Sequence, residues 1–166
     1  MQLKERHVST DVQEVQPFRV LFVCTGNTCR SPMAEAVANA WAHRQGKRDL
    51  RAYSAGLFAT EGEAISPYSL QALEKRGIEP VGGRDYRRHT AHNLSAEEVS
   101  SYDLLVGMTD SHVMQLMMCF PQVADRIVRM PLPISDPYGG SPEIYEACLE
   151  EIVTGIGDLL FSGERI

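Results

Sequence analysis

A thiol and a guanidinium stand six positions apart in Cys24-Thr-Gly-Asn-Thr-Cys-Arg30-Ser31, directly after the apolar run Val20-Leu-Phe-Val23. Phosphoryl transfer through a cysteine can be built on this pairing. A thiolate attacks phosphorus while a planar pair of N–H donors holds two equatorial oxygens, a geometry that Lys cannot reproduce. Between the two, Thr25, Gly26, Asn27, Thr28 and Cys29 supply consecutive backbone N–H groups. Gly26 permits a tight turn and a helix start follows, so these groups form a concave cradle for a tetrahedral anion. The same field favours thiolate over thiol at Cys24, and the Ser31 hydroxyl is placed to donate to the sulfur. Asn27, in mid-loop, is a residue type that accepts a positive φ and ties turns together through its side chain.

A phosphocysteine route also needs a proton donor for the leaving group and an activator for water in the second step. Asp136-Pro-Tyr-Gly-Gly140 supplies a carboxylate on a turn-rich segment, with Tyr138 available to wall a cleft. The competing reading makes Cys24 a small buried hydrophobe, Arg30 a solvated residue and Asp136 an ordinary turn former. Cys, Gly, Asn, Arg and a Ser-Pro helix start at mutually useful positions weigh against it. Zinc at Cys24 and Cys29 fails for want of a second close Cys or His pair. Nucleophile, donors and acid are all in the chain, so no metal and no organic cofactor is expected.

These groups need elements to hold them. Val20 to Val23 reads as a strand buried on both faces of a parallel sheet, ending at Cys24. Ser31 reads as the N-cap and Pro32 as the first residue of a helix running to about Gln45. Arg51 to Ala55 is a second strand stopped by Gly56, and Ser66-Pro67 opens a helix closed by Gly77. Tyr102 to Met108 is a third strand, Asp110 caps a helix through about Met118, Arg126 to Met130 is a fourth strand, and a last helix follows Ser141-Pro142. This alternation predicts an α/β fold of about four parallel strands with helices on both faces. Asp136 then falls at the same sheet edge as the Cys24 loop, where ligand sites of open α/β sheets are built.

At 166 residues the chain is sized for one domain. Residues 1–17 lack periodicity and read as a mobile N-terminal arm, with the folded domain spanning 18–166. A net charge of −6 makes a sequence-independent nucleic-acid binder a poor expectation. No apolar run approaches the ~18 residues of a membrane span, and the first residues lack the core of a signal peptide, so a cytoplasmic monomer is expected. Four cysteines are too sparse for a disulfide scaffold. Cys119 and Cys148 read as buried in helices, Trp41 as packing, and Met114, Met117 and Met118 as core filling. Gly82 to His89 is a basic stretch in an acidic protein and reads as a long surface loop.

At these residues the sequence resembles the low-molecular-weight protein phosphatases. Val-Cys-X-Gly-Asn-X-Cys-Arg-Ser-Pro-X-Ala-Glu stands as Val23 to Glu35, and Asp-Pro-Tyr stands as Asp136 to Tyr138, within a likeness covering about residues 18 to 162. The resemblance implies a flavodoxin-like domain acting on phosphorylated proteins. It makes Cys24 the nucleophile, Arg30 the phosphoryl ligand, Asp136 the general acid and then base, and Ser31 a stabiliser of the thiolate. It also implies that Asn27, Ser54 and His89 prop the loop and that Cys29 pairs reversibly with Cys24 under oxidation. Arg88 stands where a Ser is common in the family, and the stretch before His89 is longer than the family's usual spacing.

Substrate choice turns on Thr28. Cys-Thr-Gly-Asn-Thr-Cys-Arg-Ser resembles the bacterial protein-arginine phosphatases of the family, whereas tyrosine-specific members often place Ile at the Thr28 position. Phosphoarginine is therefore the favoured substrate and phosphotyrosine the alternative, which Tyr138 keeps open. An arsenate reductase on the same scaffold needs resolving cysteines, and Cys119 and Cys148 lie far apart in sequence. A non-catalytic phosphoprotein-binding module would have lost the Cys or the Asp.

Overall fold

A computed structural model describes residues 16–166. The expected arm thus lies outside the described residues except for Gln16 and Pro17. β1 (Phe18–Cys24) and β2 (Leu50–Gly56) pair in parallel, with Val20 opposite Ala52 and Cys24 opposite Gly56. β3 (Leu104–Gly107) pairs with the other side of β1, and β4 (Ile127–Arg129) with β3, giving the order β2-β1-β3-β4.

Val20, Leu21, Phe22 and Val23 are all fully buried. Successive side chains point to opposite faces, so Val20 and Phe22 join one core and Leu21 and Val23 the other. The first core packs under α1 (Arg30–Arg44), α2 (Pro67–Arg76) and α5 (Pro142–Leu160), with Trp41 stacked on Phe161 at 4.8 Å between centroids. The second packs under α3 (Ala96–Val99) and α4 (Asp110–Cys119). Helices therefore cover both faces, and burial of each large apolar side chain contributes about 1.5–3 kcal/mol. Chain order reverses at β1, since β2 lies on one side of it and β3 on the other. The carboxyl end of β1 is thus the switch point where an open α/β sheet gapes, and Cys24 is its last residue.

Several local expectations are corrected. Ser31 is not a cap: α1 begins at Arg30, Cys29 occupies the cap position, and no side chain bonds its first turn. Thr109, not Asp110, caps α4, accepting the His112 N–H at 3.4 Å, while Asp110 is freed to pair with Arg129 at 3.0 Å. α4 buries only His112 and Leu116, one turn apart on the sheet side. Met114, Met117 and Met118 consequently face outward, with Met118 80% exposed, and Cys119 is exposed too. The basic stretch is not merely a surface loop, because Tyr86 is buried and its hydroxyl donates to the Ile78 carbonyl at 2.7 Å. Ser66 and Gly77 do bound α2 as read, with Gly77 at φ +75°. No helix among the described residues is long and apolar enough to cross a membrane.

Candidate active site

The loop after β1 is anchored by its carbonyls. Those of Cys24 and Thr25 accept the N–H groups of Leu57 and Phe58, each at 3.0 Å, and that of Thr28 accepts the Ser66 N–H at 2.9 Å. Asn27 contributes its carbonyl to His89 Nε2 at 2.7 Å, and Cys29 contributes its own to Met33 N–H at 3.2 Å. Among the described hydrogen bonds, the backbone N–H groups of Gly26 to Arg30 find no acceptor within the chain. The carbonyls of Cys24, Thr25, Asn27, Thr28 and Cys29 are thus engaged elsewhere, and the N–H groups that attract an anion are left for it. The uncapped start of α1 adds the positive end of a 15-residue helix to the same place.

Gly56 makes this approach feasible. A Cβ there would lie 2.7 Å from the Thr25 carbonyl and 2.8 Å from Ala59 Cβ, so any side chain at the end of β2 would push the loop away.

Asn27 has φ +55° and no exposed surface. Its Nδ2 donates to Ser31 Oγ at 2.9 Å and to Ser54 Oγ at 3.0 Å, and its Oδ1 accepts the His92 N–H at 3.1 Å. The left-handed backbone, costly for most residues, is held by four bonds counting the one to His89. Ser31 Oγ lies 2.9 Å from Cys24 Sγ, joining this network to the sulfur. Freed from capping, Ser31 serves the sulfur instead. Ser54 and His89 both bond Asn27, one to its side chain and the other to its carbonyl, so the longer stretch before His89 still brings its ring to the loop. Burial pushes the His89 imidazole below its ordinary value, against the opposing pull of the Asn27 carbonyl and Glu35. Glu35 is itself claimed by Arg84, whose Nε donates to it at 2.9 Å.

Arg30 is buried, and its Nη1 donates to the Ile134 carbonyl at 3.2 Å. Nη2 lies 3.6 Å from Asp136 Oδ2. The structure thus unites Cys24, Arg30 and Asp136 at one sheet edge, although Asp136 is 60% exposed. The Tyr138 N–H donates to Asp136 Oδ1 at 3.1 Å, while Tyr138 as a residue is 82% exposed. Thr28 is half-buried, with its hydroxyl 3.7 Å from Cys29 Sγ.

Four neighbours escaped the sequence reading. Tyr145 on α5 places its hydroxyl 3.6 Å from Cys29 Sγ, and burial pushes its phenol up to about 12, so it stays a neutral partner. Phe58, 87% exposed, follows directly on the strand end that touches the loop. Ser66 reaches Cys29 Sγ at 3.5 Å while capping α2. His112 bonds the Thr25 hydroxyl at 3.0 Å. The signal available for His112 was Thr109 three residues earlier, a capping spacing directly after a buried strand. All four cysteines are thiols, and no group of three His, Cys, Asp or Glu with metal-holding geometry occurs among the described residues.

Comparison with known proteins bears on the family and the fold. The family model for low molecular weight phosphotyrosine protein phosphatases matches residues 19–165. The chain is 33% identical over 150 residues to a protein-arginine-phosphatase of Geobacillus stearothermophilus, covering 86% of this chain and 94% of that one. A low molecular weight protein tyrosine phosphatase from T. tengcongensis superposes with a TM-score of 0.78 at 39% identity, covering 87% and 99%. An arginine phosphatase variant, with serine in place of cysteine and that active-site serine phosphorylated, superposes with a TM-score of 0.77 at 31% identity, covering 85% and 92%. With a family model spanning nearly all of the described fold and a cysteine-arginine loop at its switch point, this chain belongs to the low molecular weight phosphotyrosine protein phosphatase family.

Proposed function

We propose that the chain dephosphorylates proteins through a phosphocysteine on Cys24, with phosphoarginine as the preferred substrate. The observation that carries the reading is the loop with its carbonyls tied outward, its N–H groups of Gly26 to Arg30 unclaimed, and Cys24, Arg30 and Asp136 around it. The Cys24 thiolate attacks phosphorus as the bond to the leaving nitrogen breaks, and the carboxylic acid of Asp136 gives that nitrogen its proton. Charge on the equatorial oxygens is met by the Arg30 guanidinium and the loop N–H groups, which need no rearrangement at the moment of transfer. Water then attacks the phosphocysteine, the Asp136 carboxylate takes its proton, and phosphate departs with the thiolate restored. Ser31 supports the sulfur in both steps from 2.9 Å.

Two things support phosphoarginine. Thr28 brings a hydroxyl to the loop shoulder, where a polar guanidinium gains a partner that an aliphatic side chain withholds, and a relative of 33% identity bears the name of an arginine phosphatase. Phosphotyrosine is the second reading, favoured by the exposed rings of Tyr138 and Phe58 as stacking walls and by the 39% identical tyrosine phosphatase. Arsenate reduction is poorly served. Cys119 is exposed on α4, whereas Cys148 is buried on α5, donates to the Ser135 carbonyl at 3.5 Å, and has its thiol pushed up to about 12 by burial.

The test compares kcat/KM for phosphoarginine and phosphotyrosine in the wild type and in Thr28→Ile. The expected ratio favours phosphoarginine and falls tenfold or more in the variant, as loss of one hydrogen-bonded contact at a dry site predicts. Equal ratios in both proteins would end the preference. Cys24→Ser is expected to abolish turnover of either substrate.

A further inference from the structure

We infer that His112 is a positioning residue for the catalytic loop, acting through the hydroxyl of Thr25. The inference rests on the Cys24 loop being the phosphoryl site and is independent of which phosphoamino acid the enzyme prefers. His112 is 3% exposed on the first turn of α4, yet it does not simply fill the core. Its Nδ1 lies 2.9 Å from Thr109 Oγ and its Nε2 3.0 Å from Thr25 Oγ. Both ring nitrogens are thereby matched to hydroxyls. A neutral imidazole, one nitrogen donating and the other accepting, satisfies both partners, since a hydroxyl can take either role.

The fold is built to bring this ring there. Gly107, the last residue of β3, has no side chain, and a Cβ would lie 2.8 Å from Val113 Cγ2 and 3.3 Å from His112 Cβ. The start of α4 is thus seated directly against the sheet end, beside the loop that follows β1. Burial first, and then the Arg30 charge, push the imidazole down to about 4, with Asp136 opposing. These are the charged groups that face it, so the ring stays neutral at working pH and places no second cation against the guanidinium that receives phosphate.

Thr25 is the residue next to the nucleophile and immediately precedes the row of N–H donors. Its carbonyl is fixed by Phe58, but its side chain is exposed to solvent on the open side and tied only to His112. Two anchors on one residue fix the entry angle of the loop; one leaves it free to pivot. Donors that must meet the transition-state oxygens within a few tenths of an ångström are sensitive to that pivot.

The experiment is a double-mutant cycle with p-nitrophenyl phosphate, using Thr25→Val, His112→Asn and the pair, with Thr25→Ser and His112→Gln as conservative partners. Thr25→Val and His112→Asn are each expected to lower kcat about tenfold with KM little changed, a size typical of displaced transition-state donors. The double variant is expected to match the worse single one, because both remove the same bond. Thr25→Ser retains the hydroxyl, and His112→Gln keeps an amide nitrogen near the place of Nε2, so both are expected to retain most activity. Multiplying effects in the double variant, or wild-type kcat in Thr25→Val, would overturn the inference; the latter result stands even if the His112 variants do not fold. Nitrogen-15 shifts of the His112 ring are expected to report a neutral imidazole from about pH 5 to 8, and a charged ring there would also overturn it. Activity surviving in Cys24→Ser would count instead against the site.

Discussion

The two flanks of the Cys24 loop are built on opposite plans. Toward β2, Asn27, Ser31 and Ser54 are buried, and every polar atom of the Asn27 side chain is bonded. Toward the last helix, Asp136 is mostly exposed, meets Arg30 at 3.6 Å, and is followed two residues on by an exposed tyrosine. One flank is fixed before substrate arrives, and the other is left free to meet it. The difference follows the chemistry. Transition-state donors gain from being immobile, whereas an acid that must also become a base needs access to water and to leaving groups of differing shape.

The sharpest way to break this comparison is Asp136→Asn, which removes the proposed proton carrier and little else. Turnover of substrates with poor leaving groups is expected to fall about 10²–10³-fold, with stability unchanged within about 0.5 kcal/mol. A large loss in denaturation midpoint would show the open flank to be structural after all. Asn27→Ala tests the other side. It strands Ser31, Ser54 and the His92 N–H at once, so chemical denaturation is expected to show a loss of about 2–3 kcal/mol, and kcat is expected to fall with it. Activity lost at full stability would mean that the network is less rigidly coupled to the fold than its burial implies.

Acid supplies a third test. An imidazole held at about 4 in the folded state and near 6.5 when unfolded binds fewer protons folded. Stability is therefore fully present above about pH 6.5 and declines as pH falls toward 4. The contribution is about 3 kcal/mol, and denaturation of His112→Gln across that window is expected to show a shallower slope. His89 is pushed in the same direction and accounts for part of what remains. The smallest effect is expected at Tyr138→Ala: stability within about 0.5 kcal/mol of wild type, and a change confined to KM for aromatic substrates.

Much of this was legible in one dimension because the relevant signals are local. Val20 to Val23 reads as a doubly buried strand since both its faces are covered, and Ser66-Pro67 with Gly77 marks both ends of α2 through capping alone. Cys24, Arg30 and Asn27 belong to a single short loop. Other features depend on contacts that spacing cannot carry. Ser31 has the type and place of a cap, and only the position of the sulfur shows that its hydroxyl is used elsewhere. His112 meets Thr25 across 87 residues, by way of two parallel strands whose register no local pattern encodes. Met114, Met117 and Met118 resemble a core because they are apolar, but α4 sits near the sheet's short outer strand and has only one side to bury.

The bare first turn of α1 carries a consequence for stability as well as catalysis. With no side chain folded back onto its opening amides, a bound oxyanion does for this helix what a serine or aspartate does at the start of others. Product and protectant are then expected to be the same species: inorganic phosphate is expected to slow turnover with one dissociation constant and, above that concentration, to keep raising the melting midpoint with the logarithm of its concentration.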